Sequence, residues 1–232
     1  MEMVGGVCLD PLVEIPNGEG GGRGGSGGDA EIAPAISRAH CTRIVVGGSL
    51  TLSDEMGSTG FQPRTIELSD RTRVHVRPIV PEDEPLLHEA VAAMSERTVY
   101  FRFFSPLKRL PDALAHRLAV VDYNDRFALV ATTHKPGAKE RIVGVARYDR
   151  VPQTEVAEIA VAVVDEFQRR GLGSALMSTL GKVARDHGIK TFTLIVLPEN
   201  QQMLGLLRKM GWIHRAKLSG GVYDISFELP DA

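Results

Sequence analysis

Apolar residues recur along the chain with two periods, and the changes of period mark its elements. From Leu172 the spacing is three or four residues, through Leu176, Leu180, Val183 and His187, which is one face of a helix. Gly188 follows as the glycine that stops it. Ile159 to Val164 before this helix and Phe192 to Leu197 after it are short apolar runs with the length and β-branched content of buried strands. Asn200 opens a second helical pattern, with Met203, Leu206, Leu207 and Met210 on one face and Gly211 after it. Strand, turn, helix and strand in this order predict a crossover between two roughly parallel strands.

The same reading extends to either side. Thr65 to Leu68 and Arg73 to Arg77 flank a polar turn and predict a hairpin. Pro81-Glu82-Asp83-Glu84 starts a helix acid-first, with Leu86, Leu87, Ala90, Val91 and Met94 as its buried face. Ser95 to Ser105 is the densest aromatic stretch, and core packing is expected of Phe101, Phe103 and Phe104. Pro111 to Val121 predicts a further helix with Pro111 in its first turn. Arg126 to Thr133 and Arg141 to Tyr148 predict antiparallel strands joined around Lys135-Pro136-Gly137, and Val156 to Val163 continues the sheet. Lys217 to Leu229 supplies closing strands, and Trp212 is expected in the core. The sum is a mixed α/β chain, one central sheet with helices on both faces, in a single domain over residues 63–232.

Residues 1–62 break the pattern. Fourteen of the 24 glycines fall within the first 60 residues. Such a tract behaves as flexible coil and cannot bury a core, so a disordered tail is expected, with Met56 as an alternative start. Over the whole chain the composition is that of a globular protein, 43% hydrophobic and 24% charged. A formal net charge of −2 gives no case for nucleic acid. No apolar run reaches a membrane span, and no basic segment followed by an apolar one marks a secretory signal. Cys8, Cys41 and the scattered histidines show neither a disulfide framework nor metal-ligand spacing, so no metal is expected. The cytoplasm is the expected location.

Chemistry concentrates at the start of the Leu172 helix. Gln168-Arg169-Arg170-Gly171-Leu172-Gly173-Ser174-Ala175 places glycines and guanidinium groups where the first helical N–H groups lack internal partners. Phosphate is the usual guest of such a turn. A dinucleotide fingerprint would need Gly or Ala where Leu176 stands, and Gly181-Lys182-Val183 lacks the Ser or Thr of a nucleotide P-loop. The order Gln168-x-x-Gly171-x-Gly173 after an apolar strand, with Asn200 after the next strand and Gly211-Trp212 beyond, resembles the GNAT superfamily of acyl-CoA-dependent N-acyltransferases. The resemblance implies acetyl-CoA as acyl donor. Its pyrophosphate would lie on Gln168, Arg169, Arg170, Gly171, Leu172, Gly173, Ser174 and Ala175, its pantetheine along Val161, Ala162 and Val163, and Asn200 nearby.

Glu158 interrupts an apolar strand. With period two it shares a face with Ala160 and Ala162, opposite Ile159, Val161 and Val163. A carboxylate in such surroundings has a raised pKa and can take a proton near neutral pH. The structural alternative is an ion pair with Arg147. Ser95-Glu96-Arg97-Thr98-Val99-Tyr100-Phe101-Arg102-Phe103-Phe104-Ser105, Val121-Asp122-Tyr123 and Val156-Ala157-Glu158-Ile159-Ala160 are similar to Pat-type bacterial protein lysine acetyltransferases. That resemblance implies Glu158 as general base and a lysine side chain of another protein, such as an acyl-CoA synthetase, as acceptor. Arg97, Tyr100 and Arg102 are candidates for the acceptor side. Some Pat-type proteins carry a cyclic-nucleotide-binding domain, which residues 1–60 are not expected to form. Many GNAT enzymes place an acidic tyrosine where Leu207 stands here. A small-molecule amine acetyltransferase and a non-catalytic acyl-CoA-binding module are the alternative functions.

Overall fold

Residues 61–133, 139–212 and 215–230 are described by the computed structural model. Nearly all of the expected tail, both cysteines and the Lys135-Pro136-Gly137 turn lie outside the described residues. The polar turn after Leu68 joins β1 (Arg64–Glu67) to β2 (Arg73–Pro78), with Glu67 opposite Arg73. Pro81–Asp83 forms one 3-10 turn and leads into α1 (Glu84–Ala92), which buries Leu87, Ala90 and Val91. Then come α2 (Glu96–Phe103) and α3 (Asp112–Ala119). Pro111 stands one position before α3, as its N-cap residue, rather than inside its first turn. A meander of β3 (Arg126–Thr133), β4 (Arg141–Arg150) and β5 (Val156–Val163) follows as expected.

α4 (Leu172–Asp186) then crosses to β6 (Thr191–Val196). The Leu172, Leu176, Leu180 and Val183 stripe of α4 is buried against Phe127, Tyr148 and Phe192 of the sheet. Gly144 permits that approach, because a Cβ there would meet Leu176 Cδ1 at 3.0 Å and Leu172 Cδ2 at 3.1 Å. The helix ends at Gly188, whose φ of +77° favours glycine. The Gly188 N–H donates to the Arg185 carbonyl and the Ile189 N–H to that of Ala184, which satisfies two orphan acceptors of the last turn. α5 (Gln201–Lys209) and the hairpin of β7 (Arg215–Ser219) and β8 (Val222–Glu228) complete the chain.

Among the described residues, eight strands form one sheet in the order β1-β2-β3-β4-β5-β6-β8-β7. Of these described strands only β5 and β6 pair in parallel. α4 and α5 pack on one face, and α1, α2 and α3 on the other. Trp212 closes the first core, stacked on Phe227 with ring centroids 4.7 Å apart. Trp212→Ala is expected to cost about 3–5 kcal/mol of unfolding free energy, the usual size for an aromatic truncated in a core. Urea unfolding with an unchanged m-value measures it.

One break in the sheet matters most. β5 and β6 pair only at Val156 with Thr191, Ala157 with Phe192 and Glu158 with Thr193. Beyond Glu158 each strand keeps its outer neighbour: β5 stays on β4 as far as Val163, and β6 stays on β8 as far as Val196. The sheet parts there.

Candidate active site

The parting of β5 from β6 opens a groove of about 480 Å³. Ile159 to Val163 form one wall and Leu194 to Val196 the other. Its far end is the α4 turn, represented by Gln168, Arg169, Gly171, Gly173 and Ser174, and α5 adds Asn200, Met203 and Leu206. The structure thus brings together Val161, Ala162, Val163, Gln168, Arg169, Gly171, Gly173, Ser174 and Asn200 of the expected cofactor set. Arg170, Leu172 and Ala175 stand outside its walls. Arg170 pairs with Asp70 at 2.6 Å and lies over the Phe167 ring, while Leu172 is fully buried beneath the helix.

The turn is shaped for an anion. Arg169 and Gly171 both take left-handed backbone, at φ +60° and +88°. Gly171 is the N-cap of α4 and no side chain caps that end. The first intrahelical bond runs from Ala175 N–H to Gly171 O, so the N–H groups of Leu172, Gly173 and Ser174 lack intrahelical acceptors. A pyrophosphate fits this end by charge and by hydrogen bonding. Gln168 has a second task, because its Nε2 donates to Val163 O at 2.9 Å and to Thr98 Oγ1 at 3.2 Å. Asn200 caps α5 by accepting from the Met203 N–H at 3.1 Å.

α2 reaches over the groove from the opposite face of the sheet. Asp165 anchors its start, accepting from Ser95 N–H at 2.8 Å, Ser95 Oγ at 2.7 Å and Thr98 Oγ1 at 2.9 Å. Burial raises the Asp165 pKa, but these bonds outweigh it and hold the carboxyl below its usual range. Arg97 donates to Glu199 O at 3.4 Å and lies over the Phe101 ring, and Tyr100 is 43% exposed. Neither Arg97 nor Tyr100 is among the groove walls, whereas Thr98, Phe101, Arg102 and Phe104 are. The expectation that Phe101 and Phe104 are core residues is therefore corrected. Only Phe103 of the three is buried, and the other two are half-buried facing the groove.

Glu158 lies at the fork where the strands part. It is half-buried, and its Oε1 is buried with no hydrogen-bond partner among the described residues. Burial pushes its pKa up, the Asp149 carboxylate opposite it on β4 pushes further, and Arg102 opposes both. The ion pair envisaged with Arg147 is replaced by another arrangement. Arg147 Nε binds Asp149 at 3.2 Å and its Nη1 donates to Leu118 O. Arg102 is left in the groove wall, where burial and then Arg147 push its pKa down to about 10, against Asp149 and Glu158.

A second cavity of about 620 Å³ begins at Glu158. Its walls are strand residues alone, including Thr193, Arg215, Lys217, Asp224 and Ser226. It shares Leu194 and Ile195 with the first groove, so the two spaces meet beside Glu158. Sequence reasoning missed this side. Its signal was the polar residues Thr193, Asp224 and Ser226 at alternating positions of apolar strands. Leu207 is fully buried and outside both sets of walls, and no tyrosine lines the groove among the described residues. No group of three or more His, Cys, Asp or Glu could hold a metal among them, and none of their helices is long and apolar enough to cross a membrane.

Comparison with known proteins identifies the family. Residues 93–212 match the acetyltransferase (GNAT) family. The chain is 32% identical over 146 residues to acetyltransferase PA5475 of Pseudomonas aeruginosa, across 63% of this chain and 78% of that protein. It is 33% identical over 142 residues to acetyltransferase Pat of Mycolicibacterium smegmatis, across 60% of this chain but 41% of the longer relative. The crystal structure of the GNAT domain of S. lividans PAT superposes with a TM-score of 0.68 at 30% identity, covering 76% of this chain and all (100%) of that domain. The chain belongs to the GNAT acetyltransferase family, and it is an N-acetyltransferase whose acyl donor is acetyl-CoA.

Proposed function

We propose that the protein acetylates a lysine side chain of another protein in the cytoplasm, with Glu158 taking the proton of the incoming amine. One observation carries this reading: Glu158, its Oε1 unpartnered, stands where the groove and the second cavity meet. Donor and acceptor would approach it from opposite sides. The turn from Gln168 to Ser174 would hold the pyrophosphate on the backbone N–H groups of Leu172, Gly173 and Ser174, with Arg169 beside it. Val161 to Val163 would meet the pantetheine, and Asn200 would fix the end of α5 against it. The acceptor would enter through the strand-walled cavity. The neutral amine attacks the thioester carbon, the N–C bond forms, the C–S bond breaks and CoA leaves as thiolate. Glu158 takes the amine proton and solvent supplies one to the thiolate. A thiol has a pKa of about 8.5, about one and a half units below a phenol, so the leaving group needs no tyrosine at 207.

The lysine acceptor is supported by the similarity to two proteins that carry the Pat name and by the Ser95 to Ser105 segment that builds α2. An acyl-CoA synthetase is the first acceptor to try. The test is release of CoA from acetyl-CoA by the purified chain, measured in parallel on lysine-bearing proteins and on a panel of small amines. Acetyl-lysine on a few proteins, at kcat/KM well above that for any small amine, is the expected result. Turnover confined to polyamines or amino sugars would contradict it.

A further inference from the structure

One row of side chains crosses half of the sheet on the face that carries Glu158. In register, Glu158 of β5 stands beside Thr193 of β6, Thr193 beside Ser226 of β8, and Ser226 beside Arg215 of β7. A parallel row holds Ile195, Asp224 and Lys217. Both rows line the cavity that begins at Glu158. Its inner end is thus the base, its middle two hydroxyls, and its outer end cationic.

The two cations differ in what stands opposite them. Lys217 stands opposite Asp224, charge against charge. Arg215 stands opposite the neutral Ser226, with the carboxylates of Asp224 and Glu228 only on its diagonals. Arg215 makes no hydrogen bond or ion pair with any described residue, and it is exposed on a strand paired along one edge only. Lys217 forms no ion pair with a described residue either, but of the two cations in the cavity wall Arg215 is the one with no carboxylate directly opposite. It lies three strand spacings from Glu158, which is about 14 Å.

That span matches a lysine-bearing peptide. The four-carbon lysine stem covers about 6 Å from the base to its own Cα. Each extended residue beyond covers about 3.3 Å, so a side chain one to three residues away reaches the end of the row. We propose that Arg215 is a specificity-determining residue, which reads an Asp or Glu one to three residues from the acceptor lysine. Guanidinium and carboxylate match as a two-pronged pair, and Asp224 and Glu158 attract the lysine ammonium while Arg215 holds its neighbour. This rests on the protein-lysine reading above.

The test uses the full chain, acetyl-CoA and two peptides that differ only in the residues beside one lysine, acidic in one and basic in the other. The expected kcat/KM is about tenfold higher for the acidic peptide, mainly through KM, and Arg215→Glu reverses the order. Arg215→Ser abolishes the preference without reversing it. Unchanged acetyl-CoA affinity shows that both variants are folded. Equal kcat/KM for the two peptides in the wild type, or a preference that survives Arg215→Glu, overturns the proposal. Turnover of small amines with none of either peptide overturns the protein-lysine reading itself, and this proposal with it.

Discussion

Glu158→Gln is expected to lower kcat by about 10²- to 10⁴-fold at pH 7, the usual size of a general-base contribution. A free lysine has a pKa of about 10.4, so about one amine in a few thousand is neutral at that pH. The attacking nitrogen must therefore lose a proton at the site. Glu158 is the acidic residue beside the parting strands, and burial has raised its affinity for a proton. Glutamine keeps the shape and removes the basicity. The fold should tolerate it, because a buried acid with a raised pKa costs stability above the ordinary carboxylate range. The melting temperature at pH 7 is expected to hold or rise, and acetyl-CoA affinity to stay. Loss of folding would show instead that Glu158 is a structural anion. Wild-type turnover would remove it from the chemistry.

Gly173→Glu is expected to abolish acetyl-CoA binding. Gly173 sits one residue inside α4, in the groove wall, where the first N–H groups of the helix lack intrahelical acceptors. A Cβ there would come within 3.4 Å of Leu206 Cδ2, so the added side chain has to fill the narrow space between α4 and α5. Its carboxylate would also repel the phosphates proposed to lie on this turn. Wild-type protein at a ligand concentration of 100 Kd gains about 2.7 kcal/mol of stability by mass action, seen as a rise in melting temperature. The variant should show no rise. Gly173→Ala separates crowding from charge and should retain most of it. Wild-type affinity in Gly173→Glu would move the pyrophosphate away from this turn.

The elements legible in the sequence were those with a single apolar period. The α4 stripe, its Gly188 stop and the strands on either side follow from local spacing, and the resemblance to GNAT enzymes followed from the turn between them. The two helices that flank the groove were harder, because each carries two apolar stripes. In α2, Val99 and Phe103 face the core while Phe101 and Arg102 face the groove. In α5, Leu204 and Leu207 are buried while Met203 and Leu206 line the groove. A one-dimensional pattern merges such stripes, since a ligand-facing side chain is as apolar as a core one. The partner of Arg147 and the cavity beyond Thr193 depend on register across strands distant in sequence. No local pattern encodes them.

The pH dependence of kcat in wild type and Glu158→Gln tests the central claim most directly. A base with a raised pKa loses activity as pH falls through that value, so the wild-type profile should show an acid limb above the ordinary carboxylate range. The Gln variant should lack this limb, and its residual rate should climb with pH as the amine deprotonates unaided. The same acid limb in both proteins would contradict the assignment of Glu158 as the base.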